Sequence, residues 1–440
     1  LIFCAGAVCF RVMGIPTEVF STPSPDQPST AIRDRDQAEG YVAMVCFKHG
    51  PPLLHGLELE WTVHHGRDPC RPLEAGLLRR ALGPYAPPTL NHDHGGRYPR
   101  EDQAQLNLPM GSLVTVEPGG QAEISTPPTR SASDLISFAK ADAATLADLL
   151  GERGLVLGSH GTDPHRPPHR LLQVPRYEAM QSAFNALGPH GTRMMCSTAS
   201  TQVCLDAGEP GQWATRWRAA HALGPTLVAL FANSPNLDGR RTGWASSRLR
   251  ATLGTCPPFT LPPEPSDDPA LAWARMAMQA PVICVRADGP SWAAPPGLTF
   301  AAWVAEPARV GRPPTLDDLD YHLTTLFPPV RPKGYLEIRY LDAQPDSRWA
   351  TPFALLAALM ARPSTIDQVL DLTQASSRRW FEAARDGLGD PVLGATATKV
   401  VQLGVRSLDH LDLTAAQRRE VLEDLALRLA SVPVSQRRSA

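Results

Sequence analysis

Glu58 and Glu60 stand two residues apart in the run Gly56-Leu57-Glu58-Leu59-Glu60-Trp61. A strand repeats every two residues, so both carboxylates fall on one face and Leu57 and Leu59 on the other. Two carboxylates aimed at one place repel. In a partly dry site one of them keeps its proton unless a cation such as Mg²⁺ lies between them. A lone Glu-x-Glu is also an ordinary solvated strand face, so recurrence elsewhere in the chain is what gives the pair meaning. Glu117-Pro118-Gly119-Gly120-Gln121-Ala122-Glu123-Ile124-Ser125 reads as a tight turn leading into a strand that presents Glu123 beside small polar residues. In Thr201-Gln202-Val203-Cys204-Leu205-Asp206 the residues Gln202, Cys204 and Asp206 share a face opposite Val203 and Leu205. In Gly334 to Asp342, Glu337 and Arg339 alternate with Leu336, Ile338 and Tyr340.

Strands with one apolar and one chemically loaded face describe an antiparallel sheet, with helices packed on the apolar side and a polar site cupped by the other. The expected fold class is therefore α+β. Helices are expected from a cap at Ser133 or Asp134 through Leu150, from Arg176 to Leu187, from Trp213 to Phe231 with a break at Gly224-Pro225, and from Asp268-Pro269 onward. Thr315 and Asp318 are spaced for capping a helix that reaches Phe327, and residues from about 352 to 440 read as a helical C-terminal part with Thr414 capping Ala415 to Leu429. Residues 1–35, with Pro23, Pro25 and Pro28 among Ser and Thr, read as a poorly ordered extension, and 36–440 as a single catalytic domain.

Composition narrows the function classes. Among 440 residues, 42 basic side chains against 44 acidic ones give a net charge of −2, so no global field draws nucleic acid or an anionic membrane. The apolar start, Leu1 to Phe10, lacks the basic lead of a signal peptide and is too short to span a bilayer. The eight cysteines form no Cys-x-x-Cys pair, which points to reduced cytoplasmic thiols. No P-loop, dinucleotide fingerprint, His-Glu-x-x-His or Gly-x-Ser-x-Gly motif is present. His64-His65, His92-x-His94 and the set His160, His165 and His169 lack the i,i+4 spacing of helical zinc ligands and read as loop residues. Cys196 and Cys204 read as small residues on a strand face rather than nucleophiles.

Gly56-x-Glu58-x-Glu60, Glu117-Pro118-Gly119-Gly120-Gln121-x-Glu123-Ile124-Ser125, Pro175-Arg176-Tyr177-x-x-Met180, Met194-Met195-x-x-Thr198-Ala199-Ser200-x-Gln202-Val203-x-Leu205-Asp206, Phe231-Ala232-Asn233-Ser234-Pro235 and Tyr335-Leu336-Glu337-Ile338-Arg339 occur in this order. Together they resemble the ordered signature of the glutamate–cysteine ligases shared by plants and actinobacteria, over about residues 37 to 360. Cys46-Phe47, Asp163-Pro164-His165-Arg166 and Asp342-Ala343-Gln344-Pro345 resemble the actinobacterial subgroup that makes γ-glutamylcysteine for ergothioneine.

The resemblance implies a glutamine-synthetase-like fold and an ATP- and Mg²⁺-dependent ligase that activates the γ-carboxylate of L-glutamate as γ-glutamyl phosphate and transfers it to the amine of L-cysteine. It further implies Glu58, Glu60, Glu117, Glu123 and Glu337 as Mg²⁺ ligands, with Glu58, Glu337 and Arg339 at the reacting phosphate. By the same likeness Arg176 and Arg248 hold the α-carboxylate of glutamate, while Gln202 and Asp206 complete the amino-acid pocket. The chain departs from the plant pattern at Thr252, where an aromatic residue is usual, and in the Arg-rich loop Asn236 to Trp244, whose Trp244 could offer aromatic surface instead. A related carboxylate–amine ligase with a different amine acceptor stays open as the alternative. A non-catalytic nucleotide-binding relative is disfavoured, because none of the implied carboxylates is missing.

Overall fold

A computed structural model describes residues 30–91, 105–287, 289 and 291–431. Its centre is a six-stranded sheet made of β1 (His55–Trp61), β2 (Leu113–Val116), β3 (Ala122–Ser125), β4 (Ser200–Asp206), β5 (Val330–Pro332) and β6 (Tyr335–Asp342), in the order β2-β3-β1-β4-β6-β5. Every neighbouring pair is antiparallel. The alternating sequence runs are β1, β3, β4 and β6. The edge strands β2 and β5 are three or four residues long, too short to carry a legible alternation of their own.

One face of the sheet is apolar throughout. Leu57, Leu59, Ile124, Val203, Leu205, Leu336 and Ile338 are buried beneath the helices Ala132–Gly151, Trp213–Phe231 and Ala350–Leu359, which pack on β1, β6 and β4 respectively. Each such side chain stabilises the fold by about 1.5–3 kcal/mol relative to exposure, which fixes the register and so holds the polar face in place.

Sequence expectation and structure differ at informative points. Trp213–Phe231 is one continuous helix with Pro225 inside it. Gly224 serves packing there rather than a break, since a Cβ at that position would lie 2.0 Å from the ring of Trp380. Burial of every residue from Ala222 to Phe231 offsets the roughly 3 kcal/mol that a proline costs a helix interior. The helix of residues 132–151 is capped by Ser131, whose side chain accepts from the Asp134 N–H, with Asp412 accepting from Ala132 N at 2.8 Å. This cap comes from the far end of the chain and is invisible locally. Pro269–Gln279 opens on the cap Asp268, and Leu316–Leu323 opens on a Thr315/Asp318 capping box but ends before Phe327.

The C-terminal part is helical, with Pro363–Thr373, Trp380–Asp386, Pro391–Ser407 and Ala415–Ala430 following Ala350–Leu359, the last opened by Thr414 and Gln417 as a capping box. Most of the expected N-terminal extension, residues 1–29, lies outside the described residues, as do His92 and His94. Its final stretch is anchored rather than loose. Ile32 is buried, its N–H donates to the Pro314 carbonyl at 2.9 Å, and Ala31 bridges to Thr315. No helix among the described residues is long and apolar enough to cross a membrane.

Candidate active site

Register assembles the polar face in three cross-strand rows. Glu60 of β1 faces Glu123 of β3, which faces Thr115 of β2; Glu58 lies between Ser125 of β3 and Gln202 of β4; and Cys204 of β4, Glu337 of β6 and Arg331 of β5 form the third row. Residues distant in sequence thus share one surface.

A hydrogen-bonded relay crosses that surface. Glu60 accepts from the Ser200 N–H and the Gln202 side-chain amide, each at 2.8 Å. The Gln202 carbonyl oxygen accepts in turn from Arg339 Nη1 at 2.7 Å, and the same nitrogen donates to Glu337 at 2.8 Å. Glu337 also receives Arg331 Nε at 2.6 Å and Lys333 Nζ at 2.9 Å. Gln202 can serve only one way round, with its NH₂ toward the carboxylate and its oxygen toward the guanidinium. On the other flank Thr115 Oγ1 donates to Glu123 at 2.6 Å.

Above this floor opens a cleft of about 970 Å³, mouth included, lined among others by Glu58, Glu60, Glu117, Glu123, Gln202, Arg176, Arg248, Arg331 and Arg339. Glu117 enters through the turn before β3. Gly120 has φ +89°, and a Cβ on Gly119 would meet the Cys196 carbonyl oxygen at 2.1 Å, so both glycines are dictated by turn conformation and close approach. Gln121 pins the turn by donating to the carbonyls of Met195 and Thr198 at 3.2 and 2.9 Å. Arg176 enters from the helix Pro175–Asn185 and donates to Thr324 Oγ1 and the Thr324 carbonyl at 2.9 and 3.0 Å. Arg248 comes from the helix Ser247–Leu253; its Nη2 donates to the Arg339 carbonyl, while its buried Nη1 has no hydrogen-bond partner among the described residues.

The family follows from comparison with known proteins. Residues 54–431 match the profile of glutamate–cysteine ligase family 2. The chain belongs to that family. It is 42% identical over 415 residues to the glutamate–cysteine ligase EgtA of Mycolicibacterium smegmatis, covering 90% of this chain and 92% of that one. It is 38% identical over 396 residues to EgtA of Mycobacterium tuberculosis, covering 88% and 87%. The chloroplastic glutamate–cysteine ligase of Brassica juncea is 30% identical over 63% of this chain and 55% of its own. A crystal structure of a glutamate–cysteine ligase from Francisella tularensis in complex with AMP shares the fold at 11% identity, with a TM-score of 0.51 over 89% of this chain and 85% of that one.

Within this family member the carboxylates divide into two electrostatic groups. Burial, and then the charge of Glu337, raises the Glu58 carboxyl. Burial, then Glu60, pushes Glu117 from the ordinary 4.5 to about 7. Burial, then Glu58, Glu117 and Glu60, holds Glu123 well above the usual range. Burial would raise Glu337 too, but Arg331, Lys333 and Arg339 more than offset it and hold its carboxyl well below that range. The first group has more negative charge than its surroundings balance.

That excess fits a hard divalent cation, whose preferred ligands are oxygens. Among the described residues no group of three His, Cys, Asp or Glu side chains is already placed to hold a metal ion.

The sign of the pH effect follows. A carboxyl raised by folding contributes stability that is complete below its unfolded pKa of about 4.5 and is lost as pH rises through the folded value, about 7 for Glu117. Mg²⁺ is expected to raise the melting temperature more at about pH 8 than at about pH 6. Thermal scans with EDTA or Mg²⁺ measure this; an equal Mg²⁺ effect at both values contradicts it.

Not every residue expected at the site reaches it. Asp206 sits at the far end of β4, where its carboxylate accepts from the N–H groups of Leu53 and Leu54 at 3.0 and 2.7 Å, fixing the entry to β1 away from the cleft lining. Glu337 is fully buried and does not line the cleft; it accepts from Arg331, Lys333 and Arg339 while its charge also reaches Glu58. Trp244 stacks under Arg250, 4.6 Å from ring centroid to guanidinium carbon, and does not line the cleft. Thr252 does line it and donates to the Arg248 carbonyl at 3.2 Å. Sequence reasoning missed Arg331, Lys333 and Tyr177. Alternation within β5 was too short to show Arg331, and Lys333 lies in the turn between strands, but Tyr177 stood in the quoted Pro-Arg-Tyr segment.

Of the histidines, His64 is packed against Thr62, with its Nε2 2.8 Å from Oγ1, and burial lowers its pKa to about 4. Cys204 lies in the floor and Cys196 is buried, and burial raises both thiols, the opposite of an activated nucleophile.

Proposed function

We propose that the protein joins L-glutamate, through its γ-carboxylate, to the amine of L-cysteine with cleavage of ATP, giving γ-glutamylcysteine, ADP and inorganic phosphate. A γ-carboxylate oxygen attacks the terminal phosphorus of ATP and ADP leaves. The cysteine amine then attacks the acyl carbon of γ-glutamyl phosphate, loses a proton, and phosphate departs with the carboxylate oxygen. The observation that carries this reading is the crowding of Glu58, Glu60, Glu117 and Glu123 on one cleft floor beside a row of guanidinium groups.

The chain's residues divide the work. Arg339, already fixed by Gln202 and Glu337, meets the transferred phosphoryl group with no reorganisation at the moment of reaction. Arg176 and Arg248 grip the α-carboxylate of glutamate, since a planar fork matches a carboxylate. Gln202 links the acidic and basic halves of the floor. Glu58, Glu60, Glu117 and Glu123 would hold Mg²⁺, which would offset the negative charge of the phosphate groups. The activity named for the mycobacterial relatives supports glutamate and cysteine as the substrates; we place the reaction in the cytoplasm and the use of its product in ergothioneine assembly.

A coupled assay of ADP release, with glutamate and Mg²⁺ present and each of the twenty amino acids offered in turn, tests this reading. Cysteine is expected to give the fastest release. Faster release with another amine selects the alternative ligase, and full release without glutamate overturns both. At single-residue level, Arg248→Lys is expected to raise KM for glutamate by about tenfold with a smaller change in kcat, because the charge stays while the fork is lost. An unchanged KM removes Arg248 from the substrate.

A further inference from the structure

We infer that Asp342 is a positioning residue that aims the guanidinium of Arg248 at the substrate, an inference resting on the role proposed for Arg248 above. Asp342 closes β6, beyond a register shift between Ile338 and Leu341 that realigns it with Ser200. Its carboxylate is buried and collects donors from the segment that carries Arg248. Oδ2 accepts from the Asn233 N–H at 2.8 Å and the Ser234 hydroxyl at 2.7 Å; Oδ1 accepts from the Ser246 hydroxyl at 2.8 Å.

Those two hydroxyls have their polarity set by the carboxylate, and each turns its oxygen to the helix Ser247–Leu253. Ser234 Oγ accepts the N–H of Arg248 itself, and Ser246 Oγ that of Leu249, both at 3.1 Å. Asp342 thus holds the backbone of Arg248 through Ser234. It also holds the side chain electrostatically, with Oδ1 4.0 Å from Nη1, the nitrogen that has no hydrogen-bond partner among the described residues. The Nη2 donates to the carbonyl of Arg339, on the same strand as Asp342. Arg248 is therefore held at its backbone and at Nη2 by β6 and the serines it orders, with Nη1 lying in the field of the Asp342 carboxylate.

The clamp is sealed from behind. A Cβ on Gly161 would lie 2.8 Å from Asp342 Cβ and Cγ, so only glycine lets residues 159–162 close over the carboxylate. That segment is held by the Gly161 N–H on the Asn233 carbonyl and the Ala199 N–H on the Gly161 carbonyl, both at 3.0 Å. Nothing in this arrangement touches the reacting atoms; its effect on the reaction passes through Arg248.

Asp342→Asn preserves size but replaces one acceptor oxygen by a donor. With the amide oxygen kept for Asn233 and Ser234, the new NH₂ faces the Ser246 hydroxyl and the Arg248 guanidinium, a donor against donors. In the full chain this variant is expected to raise KM for glutamate by about tenfold, with KM for ATP within about twofold and kcat within about threefold. In an Arg248→Lys background it is expected to add no further rise, since both changes act on one contact.

A lower melting temperature with unchanged KM values assigns Asp342 a merely structural role and overturns the inference. Should Asp342→Asn fail to fold, Ser246→Ala is expected to raise KM for glutamate by about threefold, and Ser246→Thr, which keeps the hydroxyl, to restore it. No rise in Ser246→Ala then overturns the inference. If Arg248→Lys itself leaves KM for glutamate unchanged, the underlying reading of Arg248 fails; if it raises KM and Asp342→Asn does not, only the present inference fails.

Discussion

Glu58→Gln is expected to lower kcat by about 10²- to 10³-fold, or about 3–4 kcal/mol of transition-state stabilisation, and at the same time to raise the melting temperature of the metal-free protein. The two effects have one cause. Glu58 is buried on β1 between Ser125 and Gln202, and burial together with the charge of Glu337 raises its pKa, so its charge is held at a cost to the fold. Gln removes that cost together with the charge proposed to hold the cation, which is the trade expected where function rather than stability dictates a residue. Steady-state ADP release and a thermal scan in EDTA check both halves. Near-normal turnover contradicts the placement of Glu58 at the reacting phosphate, and a destabilised metal-free protein contradicts the charge argument.

Glu337→Gln is expected to differ in sign. This carboxylate is fully buried and accepts from Arg331, Lys333 and Arg339, so its loss leaves three cations facing one another. Removing one member of a buried ion cluster commonly costs about 3–5 kcal/mol, and the melting temperature should fall. Turnover should fall as well, because Arg339 loses one of the two groups that hold Nη1 in place. Denaturant titration with parallel kinetics measures the pair. A variant as stable as the parent contradicts the role of Glu337 as the hub of the basic half of the floor.

These opposite signs show what the sequence could convey. Alternation in β1, β3, β4 and β6 told which face each side chain takes, because period two and an apolar opposite face leave no other register. It could not tell how far along a strand the cleft extends. Asp206 therefore shared a face with Gln202 yet lies at the strand end, bound to Leu53 and Leu54. Nor could it tell which strand lies alongside which. Arg331 becomes a partner of Glu337 only because β5 pairs with β6 at that register, a contact that neither strand shows on its own.

The irregularity in β6 was hidden too. Strict alternation puts Asp342 with Leu336, Ile338 and Tyr340 on the apolar face, whereas beyond the register shift it pairs with Ser200; Tyr340 keeps to the helix side, its hydroxyl donating to the Ala220 carbonyl at 3.1 Å. Bulges of this kind re-aim side chains beside active sites, and here the result brings Asp342 back under Arg248. Helix starts were more legible than helix breaks. Asp268 and Thr315 cap where local spacing places them, while Gly224-Pro225 stays helical because tertiary packing on Trp380 outweighs local propensity.

The most direct test of the acid floor as a site of carboxylate phosphorylation follows an oxygen atom. L-Glutamate carrying ¹⁸O in its γ-carboxylate is turned over with ATP, Mg²⁺ and cysteine, and the inorganic phosphate is analysed by mass. Attack of the carboxylate on the terminal phosphorus predicts one labelled oxygen in each phosphate released for each amide formed. Phosphate free of label, with amide formed at the same rate, contradicts the account.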